Sequence, residues 1–516
     1  MRSSNLTAET IHGLKWSYLS TVVVFALQLS VTAILARVLT PSEFGVVAMA
    51  LVLLRFAQYF AQAGAGQAVV QKPELDARDV RTAFTSAALI GVGLCVLFVV
   101  LAPLAGALFP HTPGIVPVTR VMSLTLVIGG FTATTHGLLR RRFAFRPIAL
   151  TEIGSYLLGY AALGLGLAYA GFGVWSLVTA SLGQATLLAT AYLLLCRADV
   201  GLGLSARSFK AIYSFGARVS LIGIAEFAGT NLDTLWAGHY LGPRATGLYT
   251  RATSLATVPL QLMVTSLSRV LLPGYSRIQF ERERLRSLYL ATLTVVAAVI
   301  VPVAWGVAGA AHEVIATVLG PQWSAAVPAL ALLSLAAPLS LLTHFGAMLC
   351  EATATLNVKI LISVCRLGWL ALLLVALARF GIVGIAGAFA VSELLTNLAY
   401  VPVMRRLLSL GVVDIARAHG VGVVAGVVTG AGLYGLHVGL GRLGLGAPPI
   451  LAVQMTAAAA YLLWTVTRAR GGLVWREIRG RLDAAGHGGQ GSGVVARIVR
   501  LLDGLAGRGS RRDAAP

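Results

Sequence analysis

Three apolar stretches of this 516-residue chain carry polar residues whose types and spacing could do chemistry. In 43–63, Arg55, Gln58 and Gln62 fall at i, i+3 and i+7, one face of a helix. In 215–240, Arg218, Glu226 and Asp233 share a face, with Asn231 beside them, and in 247–270 Arg251, Ser254, Gln261, Thr265 and Ser268 form a polar stripe. Arginine suits phosphate because its planar guanidinium offers a fork of donors. Arg55, Gln58, Gln62, Arg218, Asn231, Arg251 and Gln261 are therefore candidate lining residues of a cavity for an anion. Glu226, Asp233 and Glu393 could instead carry protons or sodium ions, Asp233 foremost because Asn231 is close in sequence. A plainer reading stays open: Arg218 could simply neutralise Glu226, and Arg251 could neutralise Asp233.

These residues stand out because of what surrounds them. The chain is 57% hydrophobic and only 11% charged, against about 25% charged in soluble domains. Apolar runs of about 20 residues recur from Leu14 to Thr467, each long enough to cross a core of about 30 Å as a helix. Predicted spans are 14–38, 43–63, 82–108, 115–139, 148–170, 173–196, 215–240, 247–270, 288–311, 326–349, 358–378, 381–404, 418–438 and 447–467. That makes about fourteen helices, the form in which a backbone satisfies its hydrogen bonds inside lipid. An ionisable group at the centre of such a helix costs roughly 2.5–3.5 kcal/mol, so those that occur usually face a cavity.

The remaining arginines alternate with the spans. Every second gap is basic: Lys72, Arg78 and Arg81; Arg140, Arg141, Arg142 and Arg146; Arg197, Arg207 and Lys210; Arg277, Arg282, Arg284 and Arg286; Arg405, Arg406 and Arg417. The opposite gaps hold isolated cases such as Arg244, Arg379 and Arg442. The positive-inside rule then places both termini in the cytoplasm. The net charge of +21 reads as anchors against anionic lipid, not as a nucleic-acid surface. Arg37, Arg120, Arg244 and Arg379 lie near outer ends, where they can snorkel. Glu152, Glu351, His344 and Arg366 read as packing or helix-end residues. The first run is too long for a cleaved signal. The tail after Thr467 is Gly- and Arg-rich. Within it Val494, Val495, Ile498, Leu501, Leu502 and Leu505 recur at helical spacing, which fits a basic amphipathic helix on the inner leaflet or a disordered basic tail.

A repeat organises the spans. Leu39-Thr-Pro41-Ser-Glu-Phe-Gly45 and Leu241-Gly-Pro243-Arg-Ala-Thr-Gly247 both fit L-x-P-x-x-x-G, offset by 202 residues. Pro110, Pro117, Ser123 and Leu124 match Pro321, Pro328, Ser334 and Leu335 at 211, and Phe172-Gly173-Val174 matches Phe380-Gly381-Ile382 at 208. The repeat unit is six helices, an even number, so both copies share one orientation, with a substrate path expected between them. The predicted organisation is a cytoplasmic N-terminus 1–13, an N-lobe 14–196, a cytoplasmic linker 197–214, a C-lobe 215–410, two extra helices in 411–467 and a basic cytoplasmic tail 468–516. The fold class is all-α integral membrane: two parallel six-helix lobes plus two helices.

Cys95, Cys196, Cys350 and Cys365 have neither CxxC pairing nor metal-ligand spacing, so no disulfide or metal is expected. There is no G-x-x-x-x-G-K-[ST] for a nucleotide-driven motor. Nor does any outer loop hold a catalytic constellation, Glu43 and Glu313 being its acidic groups, and no enzyme activity is expected.

The stretch Asn231-Leu-Asp233-x3-Ala-Gly238-x-Tyr-Leu241-Gly-Pro243-x3-Gly247-Leu-Tyr249-x-Arg251-Ala resembles the helix 7–8 signature of bacterial polysaccharide exporters, the Wzx-type oligosaccharide flippases. Gly13-x-x-Trp16 followed by Leu39–Gly45, and Leu319-Gly320-Pro321-Gln-Trp323, resemble the same family. The resemblance runs from about Gly13 to Leu410. It implies a V-shaped fold of the multidrug/oligosaccharidyl-lipid/polysaccharide superfamily and alternating access driven by a proton or sodium gradient, with no cofactor. The implied substrate is undecaprenyl-diphosphate-linked oligosaccharide, carried across the bacterial inner membrane for O-antigen, capsule or exopolysaccharide, among membrane lipids and other polysaccharide-assembly proteins. Cations would meet the diphosphate, and Gln58 and Gln261 the glycan. The resemblance singles out 231–251 only as a region. The alternatives are a multidrug or small-molecule cation antiporter, whose first helix should carry acidic groups where this chain has Gln28, and a membrane-embedded polymerase or ligase, which should have a long outer catalytic loop.

Overall fold

The computed structural model describes residues 2–62, 65–72 and 74–468; some side chains within that range, Gln62, Arg218, Glu226 and Thr265 among them, lie outside the description, as does the predicted tail helix. The chain forms two compact units, Met1–Thr250 and Arg251–Pro516. Ten helical stretches among the described residues are long and apolar enough to cross a membrane, and each predicted span falls on a helix. The chain is a multi-pass membrane protein, all-helical among the described residues.

In the first unit the helices are α1 (Arg2–Val38), α2 (Pro41–Gln62), α3 (Ala65–Gln71), α4 (Ala77–Leu108), α5 (Ile115–Met122), α6 (Leu124–Arg141), α7 (Phe145–Tyr156), α8 (Leu165–Tyr169), α9 (Val174–Leu195), α10 (Ala206–Trp236) and the start of α11 (Gly242–Arg277). The predicted span 115–139 is thus two helices, and 148–170 is broken by a π-helical stretch, Leu157–Gly164. The break has a packing cause. A Cβ on Gly159 would lie 2.7 Å from the Gln184 Cα, so α9 passes at backbone distance where the helix widens. Helices α4 and α6 cross equally closely: a Cβ on Gly91 would sit 2.6 Å from the Leu126 oxygen, and one on Gly130 2.5 Å from the Ala87 oxygen. Trp16 of the opening motif lies under the Arg146 guanidinium, 5.5 Å from its ring centroid, and Ser20 donates to Glu152 at 2.8 Å, fastening α1 to α7.

The second unit holds the rest of α11, then α12 (Arg282–Gly309), α13 (Ala311–Val314), α14 (Val327–Ala352), α15 (Leu356–Leu377), α16 (Gly381–Leu408), α17 (Val412–Arg442) and α18 (Ala447–Arg468). Its core runs from Leu260 through Leu293, Phe345 and Leu349 to Ala418. Helices α12 and α17 meet along Gly422, Gly426 and Gly430, spaced by one turn, where added Cβ atoms would strike Ala297, Val301 and Trp305. Trp323 of the Leu319–Trp323 motif is fully buried, carried inward by a 3-10 turn after Gly320 at φ 105°.

The repeat is visible in the backbone. Gly173 (φ 55°, ψ −129°), just before α9, and Gly381 (φ 67°, ψ −146°), the first residue of α16, take the same conformation, one that favours glycine. A further match has no sequence identity behind it. Phe143 and Ala354 both take φ 56°, closing α6 and α14 with the same bonds: Ala144 N–H to the Leu139 carbonyl at 3.0 Å, and Thr355 N–H to the Cys350 carbonyl at 2.8 Å. Both are left-handed helix ends of the Schellman kind, built without glycine.

Candidate functional site

The predicted cavity residues on α2 and α10 belong to helices that pack together in the first unit, with the Phe56 and Phe227 rings 5.6 Å apart. Arg55 is exposed and Gln58 half-buried on α2. The Gln62, Arg218 and Glu226 side chains lie outside the described residues. Asn231 donates to the Phe227 carbonyl and the Thr230 hydroxyl, each at 3.0 Å, within its own helix. In the second unit Arg251 is half-buried and Gln261 exposed on α11.

Asp233 is buried near the end of α10, where Tyr249, itself fully buried, donates to it at 2.6 Å and the Thr234 N–H at 2.7 Å. Between them the chain makes a π turn, Ala237–Leu241, and enters α11 through Gly242 at φ 79°. His239 Nδ1 lies 2.5 Å from the Leu108 carbonyl, and Gly238 leaves room for Phe109 and Met49. The two L-x-P-x-x-x-G loops then meet. A Cβ on Gly45 would lie 2.6 Å from the Pro243 carbonyl carbon, and one on Gly247 would lie 2.8 Å from that of Pro41. The 231–251 signature is thus chiefly a joint: its acid, tyrosine and glycines fix where α11 starts against α2.

Glu393 is buried on α16 and pairs with Arg366 of α15, whose Nη2 and Nε lie 2.6 and 3.1 Å from one carboxylate oxygen. Thr343 reaches the other oxygen at 3.4 Å, and Asn397 donates to Thr343 at 2.8 Å. Arg366 is therefore an ion-pair partner and not a plain packing residue. Of the other residues set aside as packing, Glu351 pairs with Lys359 at 2.6 Å, and His344 Nε2 lies 3.0 Å from the Ser268 hydroxyl. Glu313, expected in an outer loop, is completely buried on α13, paired with His437 of α17 and receiving the Gln454 amide of α18 at 3.3 Å. Sequence reasoning missed this cluster because Glu313 lies more than a hundred positions from both His437 and Gln454. One signal was there: an acid beside His312 at the end of an apolar run.

These are polar groups held by ion pairs and internal hydrogen bonds in a chain of membrane helices. The family model for "polysaccharide biosynthesis protein" matches residues 34–328. The chain belongs to the polysaccharide biosynthesis protein family. The match covers the α2 loop, the 231–251 joint and the Trp323 motif. Among this family member's relatives, the lipopolysaccharide biosynthesis protein WzxC of Escherichia coli K12 is 27% identical over 335 residues, 64% of this chain and 67% of WzxC. The succinoglycan biosynthesis transport protein ExoT of Rhizobium meliloti is 30% identical over 337 residues, 64% of this chain and 67% of ExoT. The fold is shared with the lipid II flippase MurJ in its inward closed conformation, at TM-score 0.70 and 13% identity, over 88% of this chain and 97% of MurJ.

Proposed function

We propose that this family member is a flippase that carries undecaprenyl-diphosphate-linked oligosaccharide from the inner to the outer leaflet of the bacterial inner membrane, for assembly of a surface polysaccharide. One observation carries this: a chain of the polysaccharide biosynthesis family shares its fold, over 88% of its length, with a lipid II flippase. The residue types read in 43–63, 215–240 and 247–270, arginines and amides, suit a diphosphate and sugars. About fourteen crossings in two six-helix lobes, with both termini cytoplasmic, fit the basic gaps. The protein carries rather than converts its substrate, and a proton or sodium gradient drives it. Asp233 and Glu393 are the described candidates for coupling; their bonds to Tyr249 and Arg366 would then have to open in the cycle.

The test is reconstitution with labelled lipid-linked oligosaccharide under an imposed ion gradient. Leaflet exchange above that of empty vesicles is expected, and exchange equal to them sinks the proposal. Arg55→Ala and Arg251→Ala are each expected to lower exchange at unchanged membrane abundance. Full activity in both removes them from the substrate path.

A further inference from the structure

At the basic end of the first unit lies a cavity of about 500 Å³. Its charged lining is Arg81, Arg141, Arg142 and Asp199, three cations against one carboxylate. Two of the arginines are committed to the scaffold. Arg141 donates to the Val69 carbonyl at 3.0 Å and to that of Lys72 at 2.5 Å, tying the end of α3 to the end of α6. Arg142 pairs with Asp199, and that hydrogen bond raises its pKa above the ordinary arginine value. Both are held in place by these bonds.

Arg81 differs. It is exposed on the first turns of α4, and among the described residues no carboxylate pairs with it. Its stem lies flat on the loop that follows α9. A Cβ on Gly201 would meet Arg81 Nε at 3.3 Å, and one on Gly203 would meet its Cβ at 3.4 Å. That loop is stitched to α4 in turn: the Gly203 N–H donates to Thr85 Oγ1 at 3.0 Å, and the Ser205 N–H to Thr82 Oγ1 at 3.2 Å. The guanidinium is thus aimed by a built bed rather than left free on a surface. A fork of donors in a partly enclosed, net-positive cavity matches phosphate oxygens. The remaining wall, including Leu75, Leu138 and Val200, is apolar, which suits an anion that arrives with hydrocarbon attached.

We propose that this cavity is a binding site for the phosphate headgroup of a membrane lipid, with Arg81 as the residue that grips it. Two lipids present that chemistry: an anionic phospholipid, and a polyprenyl diphosphate. The second source rests on the flippase reading; the site itself does not.

The test uses the purified full-length chain in detergent, with binding read by native mass spectrometry against phosphatidylglycerol, undecaprenyl diphosphate, phosphatidylcholine and inorganic diphosphate. At least one of the two anionic lipids is expected to bind on the order of tenfold more tightly than phosphatidylcholine and inorganic diphosphate, and which one names the source. Arg81→Gln is expected to remove that preference, Arg81→Lys to restore part of it, and Arg379→Gln in the second unit to leave it intact. Gly201→Val, which keeps every charge but pushes on the Arg81 stem, is expected to weaken binding too. Binding in Arg81→Gln within twofold of the unaltered chain overturns the site. So does inorganic diphosphate binding as tightly as either lipid, or an equal loss in Arg379→Gln. Loss of leaflet exchange with lipid binding retained would defeat the flippase reading and leave this site standing.

Discussion

Gly45 and Gly247 occupy each other's missing side-chain space. A Cβ on Gly45 would lie 3.0 Å from the Gly247 nitrogen, and a Cβ on Gly247 would lie 3.1 Å from the Gly45 nitrogen. Each glycine ends one copy of L-x-P-x-x-x-G, so the first turns of α2 and α11 touch reciprocally, backbone to backbone. The repeat that relates the loops in sequence also brings them into contact in space.

Gly45→Ala and Gly247→Ala are each expected to destabilise the protein by about 1–3 kcal/mol, because the added methyl strikes main chain that cannot rotate away. Thermal unfolding in detergent reads this. The double variant should cost less than the two losses together, since both strain one joint. Unchanged melting in both single variants would show that the joint is looser than described.

Ala354→Gly is expected to stabilise by about 0.5–1 kcal/mol, as Ala354 is exposed and strained at φ 56°. Phe143→Gly should gain less, because it gives up the edge contact of Phe143 with Phe145, 6.0 Å between ring centroids. A lower melting temperature for Ala354→Gly would count against the left-handed turn.

Tyr249→Phe removes a 2.6 Å hydrogen bond to the buried Asp233 carboxylate, at an expected cost of about 1–3 kcal/mol. Asp233→Asn keeps an acceptor for Tyr249, so it should melt closer to the unaltered protein while no longer answering an ion gradient in vesicles. A gradient response that survives Asp233→Asn takes Asp233 out of coupling.

Arg366→Leu leaves Glu393 buried without its cation and should cost about 3–5 kcal/mol, whereas Arg366→Leu combined with Glu393→Leu should recover most of that. The double-mutant cycle measures the difference. Additive losses would mean that the pair contributes no coupling energy.

The helices were legible because a membrane span is a one-dimensional signal: apolar length between basic gaps. The turns at Gly173 and Gly381 were legible because they need conformations that few other residues take. The matching turns at Phe143 and Ala354 were not, since nothing in phenylalanine or alanine announces a left-handed helix end. The π stretch after Tyr156 comes from the close passage of α9, a tertiary cause with no local signature. Arg366 and Glu393 sit on neighbouring helices whose rotation sequence alone leaves open, and Glu313 was read as loop because its four-residue helix is too short to show periodicity. Asp233 was found as a polar residue, but its use inside the joint depends on the hydrogen bond from Tyr249, sixteen positions away, which helix periodicity does not announce.

The first compact unit ends at Thr250, beyond the sixth predicted span, and that has a consequence for biosynthesis. The space beside Gly45 is filled by Pro243–Gly247, made roughly 200 residues later, or roughly 10–40 s at ordinary synthesis rates. Until then the half-made protein waits in the membrane with Gly45 lacking its backbone partner, and a ribosome that stops before Gly247 leaves that joint unmade.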